Sequence, residues 1–535
     1  MLDWQGWWRR TRNGDARRPL LAALAALLLL PAGAWAHAVG AGITGVEPDM
    51  AAAQIAMREV RAATPGPCTA AAAKAFRAHD DGDDHSRVED HKGLACRLEQ
   101  VFFSDLRTEL AARPDVVLGE MDIKAGIAVV ATIYPEGGFL VFDVKHPAKP
   151  VFKSWYRGMA CEGVILALNC GAYVDLTADG RTAVLSVQTL TGLPYPSVQP
   201  ALRPVAERGI ELVDLTDPAR PSLRQVLPVA SVAGVHTART HVHPNGKEYI
   251  YSAGLMTGVE IAELVPTPAG PIARPVARLV APDLHDTFTQ TDPIDGRTYL
   301  YLADGLGSGF QVYDVSDPSM PRPIAMWDLT PECTQDWFGH TIDVTHRGDR
   351  RIVTLGVEQE LLGNSTPADR AKGCGDINGN GDKPGPLWFV DASDWSDLAP
   401  VGAPDAEQKA KSEKALITTW TNPAAKAGGR YTFSPHNQQI VGDKVYLSHY
   451  HGGVFVLDAS GAFAGRDERP RELAHIVPSG EASTAAARPM LRPGTPFAIP
   501  LTRGRSSIWD VVFHDGHLFA ADQVGGLYSL REVDR

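Results

Sequence analysis

Four histidines precede four predicted strands at similar distances along the chain, and these residues have the clearest chemical potential. A single histidine at the start of a strand is usually a hydrogen-bonded rim residue, but four in equivalent positions are harder to explain in that way. Converging neutral imidazoles favour copper, zinc, nickel or iron, whereas a site poor in carboxylates disfavours magnesium and calcium. The predicted metal ligands are His236, His285, His340 and His436.

Three further candidate ligands lie where the chain returns to the level of the predicted histidine ligands. In an antiparallel hairpin, the second strand ends beside the start of the first. We therefore expect His449, His451 and Glu358 as secondary ligands or proton-handling groups, with Asp286 orienting a histidine ring. Copper and zinc are the ions that this set of side chains favours most.

Other known site patterns are weak in this sequence. The segment 376–382 resembles the opening of a calcium loop, but Leu387 stands where such a loop needs a glutamate, which favours a plain turn. His37 could chelate copper only if it became the new N-terminus. The sequence has no nucleophile elbow, phosphate-binding loop, dinucleotide fingerprint or HExxH motif. Hydrolase, kinase and dehydrogenase functions therefore have no residues to support them.

The elements that position these side chains are indicated by a phrase that recurs seven times. Each copy has a glycine, a short strand of alternating apolar residues and a polar stop, and a second strand precedes most copies. Hairpins of this kind are stable only when stacked against each other. The sequence therefore predicts an all-β fold, a seven-bladed β-propeller over residues 116–535, with the histidines at one mouth of its axial channel. The copies begin at Gly138, Gly209, Gly258, Gly309, Gly385, Gly453 and Gly526.

The phrase resembles the repeat of the LVIVD-repeat β-propeller family. The copies that carry the resemblance best are GFLVFDVKHPAKP (138–150), GIELVDLTDPARP (209–221) and GFQVYDVSDPSMP (309–321). The resemblance runs from about Val116 to the C-terminus and implies the fold, whereas most members of that family have no assigned reaction. In architecture and histidine usage the chain more distantly resembles the selenium-binding-protein and methanethiol-oxidase propellers, which use histidines to bind copper.

The first 36 residues are predicted to be a signal peptide. Arginines precede an apolar run over residues 20–30, and Ala34-Trp35-Ala36 has the small-x-small pattern of a cleavage site. We therefore expect an exported protein, periplasmic or secreted, with no membrane span after removal of the signal. The six cysteines are an even number, which favours disulfides in an exported protein. Proximity in the sequence suggests the pairs Cys68–Cys96, Cys161–Cys170 and Cys333–Cys374.

Residues 37–115 do not fit the repeat and are predicted to be a helical N-terminal extension. Helical spacing is present in the Ala-rich segments 51–63 and 71–79 and again over 93–112. The net charge of −12 argues against nucleic acid or an anionic membrane as the main partner.

The leading functional hypothesis is a monomeric, exported metal-binding propeller, an oxidase of a small molecule that enters at the channel mouth. The alternative is a non-enzymatic propeller whose rim binds a protein partner or acts as a cell-surface module. Propellers serve both purposes, so the fold alone does not decide between them.

Overall fold

A computed structural model shows seven antiparallel sheets arranged as the blades of a β-propeller, which confirms the predicted fold class. Within each blade, strands adjacent in the sequence pair as neighbours. The structure describes residues 66–70, 95–106, 109–110, 116–134, 137–158, 173–187, 209–229, 234–254, 258–281, 284–304, 309–329, 338–358, 385–423, 434–450, 452–478, 506–523 and 525–534.

The first ten strands of the described chain include those of blades I and II, and blade III follows them. Two short strands precede blade I, namely β1 (Ala95–Cys96) and β2 (Leu98–Ser104). Blade I contains β3 (Val117–Lys124), β4 (Ile127–Tyr134), β5 (Gly138–Asp143) and β6 (Val151–Arg157). Blade II contains β7 (Val174–Leu176), β8 (Thr182–Ser186), β9 (Gly209–Asp214) and β10 (Ser222–Pro228). Blade III contains β11 (Val235–Val242), β12 (Glu248–Gly254), β13 (Gly258–Val265) and β14 (Ile272–Leu279).

The remaining blades follow the same order, from the axis outward. Blade IV contains β15 (Leu284–Thr291), β16 (Thr298–Asp304), β17 (Gly309–Asp314) and β18 (Arg322–Trp327). Blade V contains β19 (Phe338–Arg347), β20 (Arg350–Glu358), β21 (Leu387–Asp391) and β22 (Leu416–Trp420). Blade VI contains β23 (Gln438–Val441), β24 (Lys444–Ser448), β25 (Val454–Asp458) and β26 (Arg471–Ile476). Blade VII contains β27 (Ile508–His514), β28 (His517–Asp522) and β29 (Gly526–Glu532).

Two helices and one 3-10 turn interrupt the strands of blades V and VI. Helix α1 (Asp405–Ala415) and the 3-10 turn Trp395–Asp397 lie between β21 and β22, and helix α2 (Ser460–Phe463) lies between β25 and β26. Among the described residues, no helix is long and apolar enough to cross a bilayer.

The innermost strands close a ring around the propeller axis. Each packs against the innermost strand of the next blade, in the order β3, β7, β11, β15, β19, β23, β27 and again β3. Seven hydrophobic clusters lie at the seven boundaries between blades; Phe142 of blade I, for example, shares one with Phe519 of blade VII. Stacked blades thus bury each other's faces, as a repeat architecture requires.

The glycine that begins each repeated phrase is required by close packing inside the blade. A Cβ atom on Gly258, the first residue of β13, would lie 1.9 Å from the carbonyl oxygen of Leu279 in β14. Gly526 would place a Cβ 2.1 Å from the carbonyl oxygen of Ser104. The repeated phrase is therefore the third strand of each blade, and in six of the seven copies its glycine permits the fourth strand to approach. Gly385 of blade V instead lies against the carbonyl oxygen of Val357 in β20.

The prediction of a helix over residues 93–112 is wrong for residues 95–104. There the chain forms β1, which pairs with β26, and β2, which pairs with β29 and is the outermost strand of blade VII. The N-terminal side of the propeller thus completes the sheet begun by the C-terminal strands. Nonlocal pairing overrides the helical spacing here because β29 offers an open edge that would otherwise lack hydrogen-bond partners.

One of the three expected disulfides falls within the described residues and is confirmed. Cys68 and Cys96 are bonded, with their Cα atoms 5.8 Å apart. The bond holds residues 66–70 on blade VI, where Thr69 Oγ1 donates a hydrogen bond to Glu472 Oε2 at 2.8 Å. The pairs Cys161–Cys170 and Cys333–Cys374 lie outside the described residues, as do the signal peptide, His37 and the segment 376–382.

Candidate metal centre

Seven side chains, one from the beginning of each innermost strand, form what we call the axial ring. All seven are buried, with at most 6% of the residue exposed. Four of them are the histidines predicted as ligands, and they come from four consecutive blades. In order from blade I to blade VII, the axial ring consists of Glu120, Tyr173, His236, His285, His340, His436 and Trp509.

The aromatic members of the axial ring contact each other in sequence. The ring centroids of His236 and His285 are 4.0 Å apart, and those of His285 and His340 are 4.1 Å apart. The same 4.0 Å separates His340 from His436 and His436 from Trp509. Angles of 43° to 51° relate the ring planes of the three histidine pairs, so the rings are tilted against each other rather than stacked flat. The predicted convergence of the four histidines is therefore present.

Irregularities in the innermost strands help to aim these side chains. The pairing register shifts between Val235 and Thr237, which flank His236, and between Gly339 and Thr341, which flank His340. Similar shifts occur in β3, β15 and β27 at the axial-ring residue. A β-bulge leaves one residue out of the ladder and turns its side chain in a new direction. The bulges thus direct five of the seven ring side chains toward the axis, whereas β7 and β23 pair without a register shift.

Hydrogen bonds to the main chain of the next blade fix the orientation of His340. Its Nδ1 lies 2.9 Å from the carbonyl oxygen of His436 and 2.7 Å from Oγ1 of Thr341. Because a carbonyl oxygen only accepts, this contact places the ring proton on Nδ1 and the lone pair on Nε2. The longer contact of 3.4 Å from His285 Nδ1 to the carbonyl oxygen of His340 favours the same arrangement in the neighbouring ring. Neutral imidazole with a lone pair on Nε2 is the form that binds metals.

Glu358 brings a carboxylate to these two imidazoles. It ends β20, opposite Phe338 at the start of β19, so the hairpin of blade V returns it to the axial ring as predicted. Oε2 of Glu358 lies 3.6 Å from Nε2 of His340. One ligand atom from each of His285, His340 and Glu358 can be chosen so that all three lie within 4.8 Å of one another. We call these three residues the donor group.

The donor group has the composition of a mononuclear metal site. Two imidazole nitrogens and one carboxylate oxygen are a ligand set of catalytic zinc, with the fourth position open. Donors bound at about 2.1 Å to one tetrahedral ion lie about 3.4 Å apart. The 3.6 Å between His340 and Glu358 is close to that value. All three side chains are buried, at 1%, 1% and 4% exposure. The donor group could therefore hold a metal ion.

The other predicted ligands have different positions. His236 and His436 are members of the axial ring but lie outside the donor group. His449 packs edge-on against Trp420 and Phe455, with centroids 5.7 and 5.4 Å away, and burial lowers its pKa to about 3. The structure therefore does not bring His449 into the donor group. His451 lies outside the described residues.

His449 and Tyr450 follow the end of β24, and these two adjacent residues have different surroundings. Tyr450 contacts the axial ring instead, with its ring centroid 5.1 Å from that of His436. Asp286 was expected to orient a histidine, but it forms a two-fold hydrogen bond with Arg239, at 3.0 Å from both Nε and Nη2.

A cavity of about 170 Å³ lies beside the axial ring. Its polar lining includes Glu120, Thr341, Asn437 and Asp510, which follow or belong to the ring. Burial and the nearby Asp510 raise the pKa of Glu120, while burial raises the pKa of Asp510 itself. Asn437 Nδ2 donates to both carboxyl groups, and Trp509 Nε1 donates to Glu120 Oε1 at 2.8 Å. The carboxyls of this cavity are thus already engaged by donors from the protein.

Three residues near the donor group were not identified from the sequence. Glu120 and Tyr173 occupy the axial ring in blades I and II. Tyr450 lies between His449 and His451, which were predicted as ligands, and was itself not predicted to contact the site. All three could have been identified from their positions relative to the first two strands of their blades. Their residue types give no such signal, because the residue type varies from blade to blade.

Comparison with solved structures gives distant propeller-like neighbours only. A periplasmic gluconolactonase of Pseudomonas aeruginosa is 14% identical with a TM-score of 0.40, covering 65% of this chain and 82% of that chain. YCF48 from Cyanidioschyzon merolae is 10% identical with a TM-score of 0.40, covering 81% and 98% of the two chains. The Cps50 (Swd1) β-propeller domain of Myceliophteria thermophila is 8% identical with a TM-score of 0.38, covering 78% and 99%.

No protein-family model and no curated protein sequence matches this chain. Similarity at these scores and identities carries nothing about function, and membership in the LVIVD-repeat family stays a prediction. The fold and the site together define the class: a seven-bladed β-propeller with a buried His-His-Glu donor group at its axis.

Proposed function

We propose that this protein is an exported, monomeric metalloprotein that binds one transition-metal ion, copper or zinc, through His285, His340 and Glu358. The observation that supports the proposal is the donor group itself: two imidazoles and one carboxylate with a ligand atom each within 4.8 Å of one another. Oxygen-only ions such as magnesium and calcium do not match two imidazole ligands. The Cys68–Cys96 disulfide is compatible with export into an oxidising compartment.

The reaction that we propose is the oxidation of a small molecule by dioxygen at a copper ion. A bound copper ion would supply the redox chemistry, and the open coordination position would receive the substrate. The protein's own contribution is to hold the ligands and to restrict access. His340 Nδ1 is tied to the carbonyl oxygen of His436, so its Nε2 stays aimed at Glu358. Burial of the donor group restricts substrates to small molecules.

The proposal is tested by the metal content of the mature protein, purified without a polyhistidine tag. We expect about one copper or zinc ion per chain, because the three donors suit a single ion. His340→Ala should reduce the metal content to less than a tenth, since it removes the ligand nearest to Glu358. His146→Ala, which changes an exposed histidine in a turn of blade I, should leave it unchanged.

Two results would overturn the proposal. One is the absence of stoichiometric metal in the wild-type protein together with unchanged thermal stability on addition of copper or zinc. The other is full metal content in His340→Ala. Either result would favour the non-enzymatic alternative, in which the propeller presents its rim to a protein partner.

A further inference from the structure

Tyr450 has an unusual backbone conformation next to the donor group. It lies in the turn between β24 and β25 with φ at 42°, one of the few residues other than glycine with a positive φ among those described. A bulky residue in this region is strained and persists only where the surrounding structure requires it. The side chain is completely buried, so the strain is not relieved by mobility in solvent.

The main chain of Tyr450 is held by the neighbouring blade. Its N–H donates to the carbonyl oxygen of Ile508 at 3.2 Å, and the N–H of Ile508 donates back at 3.1 Å. This isolated bridge joins blade VI to the start of β27 in blade VII. The N–H of Gly453 also donates to the carbonyl oxygen of Tyr450 at 3.1 Å. Main-chain hydrogen bonds to two blades therefore fix the position of Tyr450 independently of its side-chain contacts.

The side chain of Tyr450 reaches a third blade. Its hydroxyl donates a hydrogen bond to Oε1 of Glu358 in blade V, and the other oxygen, Oε2, faces Nε2 of His340 at 3.6 Å. The two carboxylate oxygens thus have different neighbours: one has a phenol and the other has a metal-binding imidazole. A carboxylate that is hydrogen-bonded through one oxygen is oriented to bind a metal through the other.

We propose that Tyr450 is a positioning residue that holds Glu358 as a ligand through Oε2 alone. The inference rests on the proposed metal site and adds a determinant of its selectivity. Calcium often takes both oxygens of a carboxylate, whereas a four-coordinate transition-metal site needs only one. With Oε1 engaged by the phenol, Glu358 fits a small tetrahedral ion bound by His285 and His340 and disfavours a larger oxygen-seeking ion.

Replacement of the hydroxyl tests the proposal directly. Tyr450→Phe should weaken zinc binding by about 10- to 100-fold, the usual effect of removing a hydrogen-bond partner of a metal ligand. Zinc affinity is measured by competition with a chromophoric chelator, and the copper-loaded protein should show a changed electron paramagnetic resonance spectrum. Tyr446→Phe is the matched control, because Tyr446 lies on the same blade as Tyr450 and donates a hydrogen bond of 2.9 Å to Glu532 of blade VII, outside the site. That control should retain the wild-type affinity and spectrum.

A second measurement uses the wild-type protein and does not depend on the folding of the variant. A crystal structure of the zinc-loaded protein should show Glu358 bound through one oxygen, with the other still hydrogen-bonded to Tyr450. Wild-type affinity and spectrum in Tyr450→Phe would overturn the inference while leaving the metal site intact, and so would a bidentate Glu358. Failure of the wild-type protein to bind zinc or copper would instead overturn the proposed function.

Discussion

At the scale of single residues, the histidines of this protein divide into two kinds by their surroundings. His285 and His340 contact carbonyl oxygens of adjacent blades through Nδ1, which leaves Nε2 as the metal-binding atom. His449 is buried among aromatic side chains, and this burial lowers the pKa of its imidazole. The same residue type is therefore a candidate ligand in one place and a packed apolar-like ring in the other.

The burial of His449 predicts a specific acid sensitivity. Its pKa is lowered to about 3 from the usual 6.5, so below pH 6.5 the unfolded chain binds a proton that the folded protein does not. Stability should therefore fall as the pH decreases from 6.5 to 3, by about 1 kcal/mol for each pH unit. His449→Phe removes this contribution while it preserves the packing on Trp420 and Phe455.

Thermal unfolding measured from pH 7 to pH 4 checks this prediction. The unfolding midpoint of His449→Phe should fall less steeply with acidification than that of the wild-type protein. Metal content should be the same in both, because His449 lies outside the donor group. Parallel pH profiles would show that His449 is not a buried neutral ring.

At the scale of the strands, two local structural features recur among the blades. A bulge near the start of the innermost strand turns one side chain to the axis, and a glycine at the start of the third strand lets the fourth strand approach. Gly258 shows the second feature clearly, since φ is 97° there and the carbonyl oxygen of Leu279 occupies the space of a Cβ. Both the backbone conformation and the contact exclude other residues.

Alanine substitution of two glycines separates the stability cost of a positive φ from the cost of a steric clash. Gly258→Ala should destabilise the protein by about 3–5 kcal/mol, because the Cβ meets main chain that must move. Gly246→Ala is the matched control, since Gly246 also has a positive φ, 76°, but nothing lies within 4 Å of its would-be Cβ. Its cost should be only about 1–2 kcal/mol, the conformational part alone. Equal losses in the two variants, measured by thermal unfolding, would contradict the role assigned to the close approach.

The strands show which parts of the fold local sequence could predict. Hairpins such as β12–β13 could be predicted because the alternation of apolar residues and the glycine that begins each repeated phrase are local signals. The strand β2 was mistaken for a helix because its partner, β29, lies at the other end of the chain. The four histidines could be predicted because they share a residue type. Glu120 and Tyr173 hold the equivalent axial-ring position in blades I and II but are not histidines. A bulge sets the place of Glu120 at the axis, and no local sequence pattern predicts that bulge.

At the scale of the whole molecule, contacts between blades determine both stability and the site. Carboxylates of one innermost strand accept main-chain N–H groups of the next: Asp175 from Thr240 at 2.5 Å and Asp343 from Ile440 at 2.8 Å. Each donor-group residue is likewise held from a neighbouring blade. The ring closes through β2, so both ends of the described chain contribute to one sheet. A closed ring of this kind fixes the distances between ligands that come from different blades.

The central claim is that His285, His340 and Glu358 bind one metal ion, and anomalous X-ray diffraction tests it most directly. Crystals of the tag-free protein loaded with zinc or copper should be measured on both sides of the absorption edge of the metal. We expect one strong peak about 2.0–2.2 Å from Nε2 of both histidines and from a carboxylate oxygen of Glu358. No peak at the axial ring, or a peak bound elsewhere with these three side chains unliganded, would contradict the account.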